Sequence, residues 1–239
     1  MTSEQKSGSQ WSAAVLGGII GALLMLVGLL LAAQAGWGDR LVRQALQRQP
    51  EILVEAADLL RDKQYAPVLA ANRVALETPF GSSWAGAEKP EVTLVEFYDY
   101  ACGYCRASLP VIDRLLKEDP GLRVVYRELP ILGPGSEAAA RVALAASKAG
   151  RFQQFHDALY AAGRPDQQTI TAAAQAAGTN PVPQQTPDID AELRRNMQIA
   201  GSLGATGTPM FVVGDRVMNG AVGYEMLKKA IADARMAKG

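Results

Sequence analysis

The chain has 239 residues, of which 24 are Lys or Arg and 24 are Asp or Glu, and 49% of all residues are hydrophobic. This apolar content is enough for a real core. The balanced charge argues against a nucleic-acid-binding protein, which would need a basic excess or patch. Two cysteines and one histidine are too few ligands for a usual four-ligand zinc site.

The N-terminal region is uncharged from Ser7 to Gly38. Its apolar core, at 13–33, has roughly the 20 residues that a membrane-spanning helix needs. A cleaved signal peptide is the alternative, because Ala33-Gln34-Ala35 fits the small-x-small pattern, although a signal peptide's apolar region is normally shorter. A buried helix of a soluble domain is a third option. We predict a tail and membrane anchor, or a signal peptide, at 1–38. Either delivers the rest of the chain to the non-cytoplasmic side, where disulfides persist.

A helical stalk is predicted at 39–80. Apolar or neutral residues recur there in steps of four and three, which makes a short heptad seam. The seam consists of Val42, Leu46, Gln49, Leu53, Ala56 and Leu60. Since proline is favoured at the start of a helix, Pro50 predicts a break between a first helix that ends at about residue 48 and a second helix at 50–63. A third helix is predicted at 66–76. We expect the stalk to self-associate; the alternative is that its helices pack on their own domain.

The third predicted domain spans 81–239 and is of the α/β class. A linker rich in Gly, Ser and Ala is predicted at 79–90. Strands are predicted at 92–97 and 123–128, with a hairpin at 210–213 and 216–218. Helices are predicted from about 102, then at 136–149 with Ser136 as N-cap, at 152–162, 167–177, 188–203 and 223–236. This order indicates an all-helical block, at about 133–205, inserted into a small α/β unit.

The chemistry is predicted at Cys102-Gly103-Tyr104-Cys105, which contains both cysteines of the chain. A C-x-x-C at a strand-to-helix junction is typical of a redox dithiol. Cys102 precedes the first helical turn, where free N–H groups and the helix dipole favour a thiolate, so it is the predicted nucleophile. Cys105 lies one turn inside and is the predicted resolving thiol. Half of a zinc site and an inert structural disulfide are the alternatives.

Two further positions are candidates near the dithiol. Glu96 interrupts an apolar strand and by alternation shares a face with Leu94 and Tyr98. A buried carboxylate there would have a raised proton affinity and could take the proton of the resolving cysteine. The alternative is that Glu96 points to solvent. His156 is far from the dithiol in sequence, and we interpret it as structural.

These residues resemble the thioredoxin superfamily. The resemblance rests on the run from Val95 to Cys105, on Pro110 five residues after the second cysteine, and on Gly207-Thr208-Pro209 before a strand. The inserted helices and the run 155–160 narrow it to DsbA-like thiol–disulfide oxidoreductases of the bacterial periplasm. The stretch 49–56 is similar to the N-terminal segment of the ScsC-type branch, whose members can oligomerise through it.

The resemblance implies a thioredoxin-like fold with an inserted helical subdomain. It implies that Cys102 attacks, that Cys105 resolves and that Glu96 is the buried acid. It also implies that Pro209 is cis and that Gly103, Tyr104, Thr208 and Pro209 contact the substrate. No metal or cofactor is implied beyond a redox-active disulfide between the two cysteines.

One departure from the DsbA pattern bears on function. Tyr104 stands where DsbA-type oxidases carry histidine, and the Gly-Tyr dipeptide, with Thr before the proline, looks more like the disulfide isomerases. We therefore predict a disulfide isomerase or reductase, with a DsbA-like dithiol oxidase as the alternative. A chaperone-like or copper-binding thiol module is the alternative of another class.

The expected partners and location follow from this reading. Unfolded or misoxidised secreted proteins are the expected substrates, with a membrane redox partner, a homo-oligomer formed through the stalk, and no nucleic acid. The expected location is the periplasmic face of the inner membrane, or the soluble periplasm after signal cleavage.

Overall fold

The computed structural model describes residues 7–34 and 37–237. The chain forms two compact units, Met1–Leu60 and Arg61–Gly239. The helices of the chain are α1 (Ser7–Gln34), α2 (Trp37–Arg48), α3 (Glu51–Glu77), α4 (Gly103–Glu118), α5 (Pro134–Lys148), α6 (Phe152–Ala162), α7 (Gln167–Ala177), α8 (Pro187–Ser202) and α9 (Tyr224–Met236). The strands are β1 (Trp84–Gly86), β2 (Val92–Tyr98), β3 (Leu122–Glu128), β4 (Met210–Val213) and β5 (Arg216–Asn219).

The predicted membrane anchor is not supported. Across the described ranges, no helix has both the length and the apolarity needed to cross a membrane. The alternative cleavage pattern ends at Ala35, which lies outside the described residues.

The predicted break between residues 63 and 66, within α3, is wrong. One continuous helix replaces the two predicted at 50–63 and 66–76, although it contains Pro67. Proline lacks the N–H that a helix interior needs, which favours a break. Leu69 and Leu76 are nonetheless buried in the core of the second unit, so packing holds this end of the helix together. This end of α3 belongs to the second compact unit, which begins at Arg61.

The predicted linker at 79–90 contains a strand. β1 pairs antiparallel with β3, with Trp84 opposite Val125. The segment before β1 is fixed by hydrogen bonds, since the Ser83 hydroxyl donates to the Ser147 hydroxyl at 2.8 Å. A three-residue strand has too little alternation to be visible in sequence, and its pairing partner lies 41 positions along the chain at the Trp84–Val125 pair.

Within the described residues, the sheet has five strands in the order β1-β3-β2-β4-β5. β2 and β3 are parallel, and the other pairs are antiparallel. The parallel pair needs a crossover, which α4 provides. β2 is central and wholly buried, as its apolar sequence favours.

Side chains from the two faces of the sheet form two core clusters. One contains Leu94, Tyr98 and Tyr126 and extends into the inserted helices. The other contains Val95, Phe97, residues of α8 and the end of α3. The predicted helical block after β3 is thus present as α5 to α8. The predicted N-cap of α5 is wrong: Gly133 is the N-cap, Pro134 occupies the first turn, and Ser136 is buried inside the helix.

A buried ion pair fixes the end of α3 to the sheet. The Arg127 guanidinium donates to the Glu192 carboxylate, and both side chains are almost fully buried. Arg127 also donates to the carbonyl oxygens of Ala75, Leu76 (3.1 Å) and Thr78 at the end of α3. These carbonyls have no partner within the helix, so Arg127 acts as their cap.

We expect Arg127→Met to destabilise the domain by about 3–5 kcal/mol, because it leaves the Glu192 charge buried and unpaired. The measurement is the free energy of unfolding from urea denaturation. The double variant Arg127→Met/Glu192→Leu should lose less than the single one, since no buried charge remains. A single variant as stable as the wild type would contradict this assignment.

Candidate active site

Cys102 is the N-cap residue of α4, with φ −80° and ψ 118°. Its backbone N–H donates to the Asp99 carbonyl at 3.0 Å, which closes a turn at the end of β2. Its thiol donates to the Thr208 carbonyl at 3.1 Å, and 7% of the residue is exposed. The predicted nucleophile thus stands at the helix N-terminus, nearly buried but not fully so.

Cys105 lies one turn inside α4 and is fully buried. Both cysteines are free thiols in the structure. Burial raises the pKa of the Cys105 thiol far above its usual range, and the charge of Glu96 raises it further. Cys105 therefore needs a nearby base before it can attack as a thiolate.

Glu96 is 1% exposed, so the solvent-facing alternative is wrong. It lies on β2 in register with Tyr126 of β3 and Phe211 of β4, on the sheet face beneath the dithiol. Its Oε1 atom is buried and makes no hydrogen bond. Burial first, and the negative charge of Cys102 second, raise the pKa of Glu96 from 4.5 to about 8. A carboxyl with such a pKa can hold or release a proton near neutral pH.

The peptide bond between Thr208 and Pro209 is cis, as the resemblance implied. It directly precedes β4, and the Thr208 carbonyl oxygen is the acceptor for the Cys102 thiol. The structure therefore brings together four of the predicted residues, which are Cys102, Cys105, Glu96 and Thr208. The first three precede the helical insertion in the sequence, and Thr208 follows it.

Gly103 and Tyr104 lie on the outer side of the dithiol. The Tyr104 side chain is 70% exposed. A Cβ added at Gly103 would meet no atom within 4 Å, so the surface beside Cys102 is open. A polypeptide can approach the attacking sulfur from this side.

His156 belongs to a buried aromatic cluster, as the structural interpretation predicted. Its Nδ1 atom is 3.2 Å from the Tyr100 hydroxyl, which is 3.2 Å from the Tyr98 hydroxyl, and Tyr98 donates to Glu128. Burial lowers the pKa of His156 to about 3 and holds that of Glu128 well above its usual range. His156 is therefore neutral at physiological pH.

Sequence reasoning missed Asp99. Its buried carboxylate accepts hydrogen bonds from the backbone N–H groups of Ala101, Ile131 and Leu132. A signal was present in the sequence, because an Asp just after a strand is typical of an Asx turn. Asp99 is also only three residues before the candidate nucleophile. Its second contact, with the segment after β3, depends on tertiary structure.

Among the described side chains, no three of His, Cys, Asp or Glu cluster closely enough to hold a metal ion. The groups at the site are two thiols, one buried carboxyl and the backbone around them. Cys102 can attack a disulfide from outside, and Cys105 can complete the reaction once its proton is removed.

Comparison with known proteins identifies the family of this domain. Residues 93–232, over half of the chain, match the DSBA-like thioredoxin domain family. A thioredoxin-like oxidoreductase of Silicibacter pomeroyi is 37% identical, with a TM-score of 0.65, covering 69% of this chain and 98% of that one. A periplasmic thioredoxin-like protein of Salmonella enterica is 30% identical, with a TM-score of 0.63, covering 69% and 95%.

A linker-deletion mutant of Proteus mirabilis ScsC extends the likeness toward the N-terminus. It is 31% identical, with a TM-score of 0.67, and the match covers 87% of this chain and 97% of that one. Among curated proteins, the Na⁺/H⁺ antiporter NhaA 3 of Salinispora tropica is 29% identical over 164 residues, which are 62% of this chain and 24% of the antiporter. The chain thus spans about a quarter of that relative's length.

The family match covers the strand with Glu96, the dithiol helix, the inserted helices and the Thr-Pro segment. The match to the ScsC mutant covers more of the chain than the family match and extends to residues before the family match begins. The chain belongs to the DSBA-like thioredoxin domain family, in its ScsC-like branch.

Proposed function

We propose that the protein catalyses thiol–disulfide exchange on secreted polypeptides, acting as a disulfide isomerase or reductase. The observation that carries the proposal is the grouping of three residues: Cys102 at the N-terminus of α4, Cys105 one turn inside the helix, and Glu96, whose buried carboxyl interacts electrostatically with both thiols.

The first step is attack by the Cys102 thiolate on one sulfur of a substrate disulfide. The substrate S–S bond breaks, a mixed disulfide forms at Cys102, and the other substrate sulfur leaves as a thiolate. In isomerisation, a second substrate thiolate attacks the mixed disulfide and releases Cys102. The substrate is then rearranged with no net oxidation.

The second step, for reduction, uses Cys105 and Glu96. Forming the mixed disulfide removes the negative charge of Cys102, which is one of the two causes of the raised pKa of Glu96. Glu96 therefore ionises more readily at that moment and can accept the Cys105 proton. The Cys105 thiolate attacks the Cys102 sulfur, the substrate leaves as a dithiol, and the protein disulfide forms.

Tyr104 favours the isomerase or reductase over the oxidase. A histidine at that position would stabilise the thiolate and make the disulfide more oxidising. The exposed phenol carries no positive charge, so we expect a milder redox poise. A protein that must attack wrong disulfides and leave again benefits from such a poise.

The proposal is tested by trapping the thiols of Cys102 and Cys105 in living cells with a mass-shifting alkylator. A mostly reduced pair supports isomerase or reductase function and a reducing partner. A mostly oxidised pair would move the dithiol oxidase to first place. A chaperone-like or copper-handling role would be favoured instead if a variant lacking both cysteines kept its biological activity.

We place the reaction in the periplasm, as for the Salmonella relative described as periplasmic. We further propose that copies of the chain associate through the seam of the first unit. Several seam residues are exposed and apolar, including Val42, Leu53 and Leu60. The ScsC mutant match, which covers 87% of this chain, supports the proposal because it reaches beyond the thioredoxin domain.

We expect Leu53→Glu to weaken this association at least tenfold, because it puts a charge into the apolar seam. The measurement is sedimentation of the full chain over a concentration series. Val54→Glu is the matched control, since Val54 is similarly exposed but lies one position off the seam. A chain starting at Arg61, which keeps the whole compact second unit, should be monomeric. If the wild type is itself monomeric, the stalk proposal is wrong.

A further inference from the structure

We propose that Asp99 is a positioning residue for Cys102. Its hydrogen bonds connect the turn at residues 99–102 (the dithiol turn) to the segment after β3, and they thereby fix the position from which Cys102 attacks. The inference rests on the proposed exchange reaction and adds a residue that the reaction scheme does not contain. Asp99 does not touch a reacting sulfur, so it acts through the backbone around Cys102.

The first connection is local. One carboxylate oxygen of Asp99, Oδ1, accepts from the Ala101 N–H at 2.8 Å, and the Asp99 carbonyl accepts from the Cys102 N–H at 3.0 Å. The side chain and the backbone of one residue therefore both shape the turn from β2 into α4. This turn makes Cys102, and no neighbouring residue, the N-cap of the helix.

The second connection is long-range. The other carboxylate oxygen, Oδ2, accepts from the Ile131 N–H at 2.8 Å and from the Leu132 N–H at 3.0 Å. The Tyr160 hydroxyl, from α6 of the inserted block, donates to the Asp99 carbonyl at 3.4 Å. Asp99 thus joins the dithiol turn to the start of the helical insertion and to one of its helices.

Both carboxylate oxygens face N–H donors, and this makes the role of Asp99 chemically specific. An asparagine has almost the same size but offers one acceptor oxygen and one NH₂ donor. In Asp99→Asn the NH₂ group must face either the Ala101 N–H or the N–H groups of Ile131 and Leu132. Two hydrogen-bond donors then face each other, and the hydrogen bond at that position is lost. An alanine leaves these N–H groups free to bind water. If acceptor chemistry matters, asparagine should be no better tolerated than alanine.

The experiment compares Asp99→Asn and Asp99→Ala with Asp119→Asn. Asp119 is a matched control at the far end of α4, where it accepts from the Gly121 N–H at 3.1 Å and from Arg235. Exchange is measured with a small aromatic disulfide, per folded molecule. The alkylation rate of Cys102 by iodoacetamide is measured at fixed pH in a Cys105→Ser background, where it is the sole thiol.

We expect both Asp99 variants to slow exchange and alkylation by about tenfold, as the loss of one or two charge-assisted hydrogen bonds implies. Asp119→Asn should lower the melting temperature while leaving both rates within about twofold of the wild type. If Asp99→Asn does not fold, Asp99→Ala still gives the comparison with Asp119→Asn.

Unchanged or faster alkylation in the folded Asp99 variants would overturn the inference, and so would an Asn variant clearly more active than the Ala variant. A wild type that exchanges no disulfide would refute the proposed function instead. The alkylation assay does not require exchange, so the two failures are distinguishable.

Discussion

The variant Cys105→Ser should accumulate as a covalent complex with its substrate. Cys102 can still attack a substrate disulfide and form the mixed disulfide, but no buried thiol remains to resolve it. Cys102→Ser should form no such complex and should lose exchange by about 10³-fold or more, because a hydroxyl is not an effective nucleophile toward disulfide sulfur.

The measurement is non-reducing electrophoresis and mass spectrometry after mixing each variant with a scrambled multi-disulfide protein. The complex of Cys105→Ser should disappear on addition of dithiothreitol and should map to Cys102. The two variants remove one sulfur each from the same turn of α4, so each controls for the other. Because Cys105 is fully buried, we expect no covalent complex through it in Cys102→Ser. Finding such a complex would reverse the assigned roles of the two cysteines.

We expect Glu96→Gln to have opposite effects on stability and on turnover. The folded-state pKa of Glu96 is raised from 4.5 to about 8, so between these pH values the folded protein holds a proton that the unfolded chain has released. Stability therefore declines as the pH rises through this window and levels off above it. The integrated loss is about 4–5 kcal/mol. Glutamine does not titrate, so the variant should lack this loss.

Turnover should fall in the same variant by about 10²-fold, because the amide cannot take the Cys105 proton. The measurements are urea denaturation of the reduced protein at about pH 5 and about pH 9, and the rate at which the mixed disulfide resolves. In a Cys102→Ser background the pH-dependent loss should shrink, since the charge of Cys102 contributes to the raised pKa. Equal pH dependence in the wild type and Glu96→Gln would show that Glu96 is not the titrating group.

The elements of the thioredoxin-like domain were largely predictable because their patterns are local. The helices α6 and α7 have the predicted bounds, and β2, β3 and the final hairpin differ by one residue at an end. Apolar periodicity, Gly stops and Pro starts carry this information. The burial of Glu96 followed from its position among apolar residues in a strand.

What could not be predicted depends on distant partners. β1 exists because it pairs with β3, and α3 continues through Pro67 because its end packs on the sheet and is capped by Arg127. The bridging role of Asp99 requires Ile131 to lie beside it, which no local pattern reveals. Roles assigned to single residues of the site remain predictions that the variants above test.

The Cys102 thiol and its acceptor, the Thr208 carbonyl, are 106 positions apart, with the helical insertion between them. A chain that emerges from its N-terminus across a membrane or from a ribosome therefore exposes both thiols long before the segment that completes their surroundings. The surroundings of Cys102 are therefore complete only after Thr208 has joined the fold, and we expect a chain that ends within the insertion to lack exchange activity.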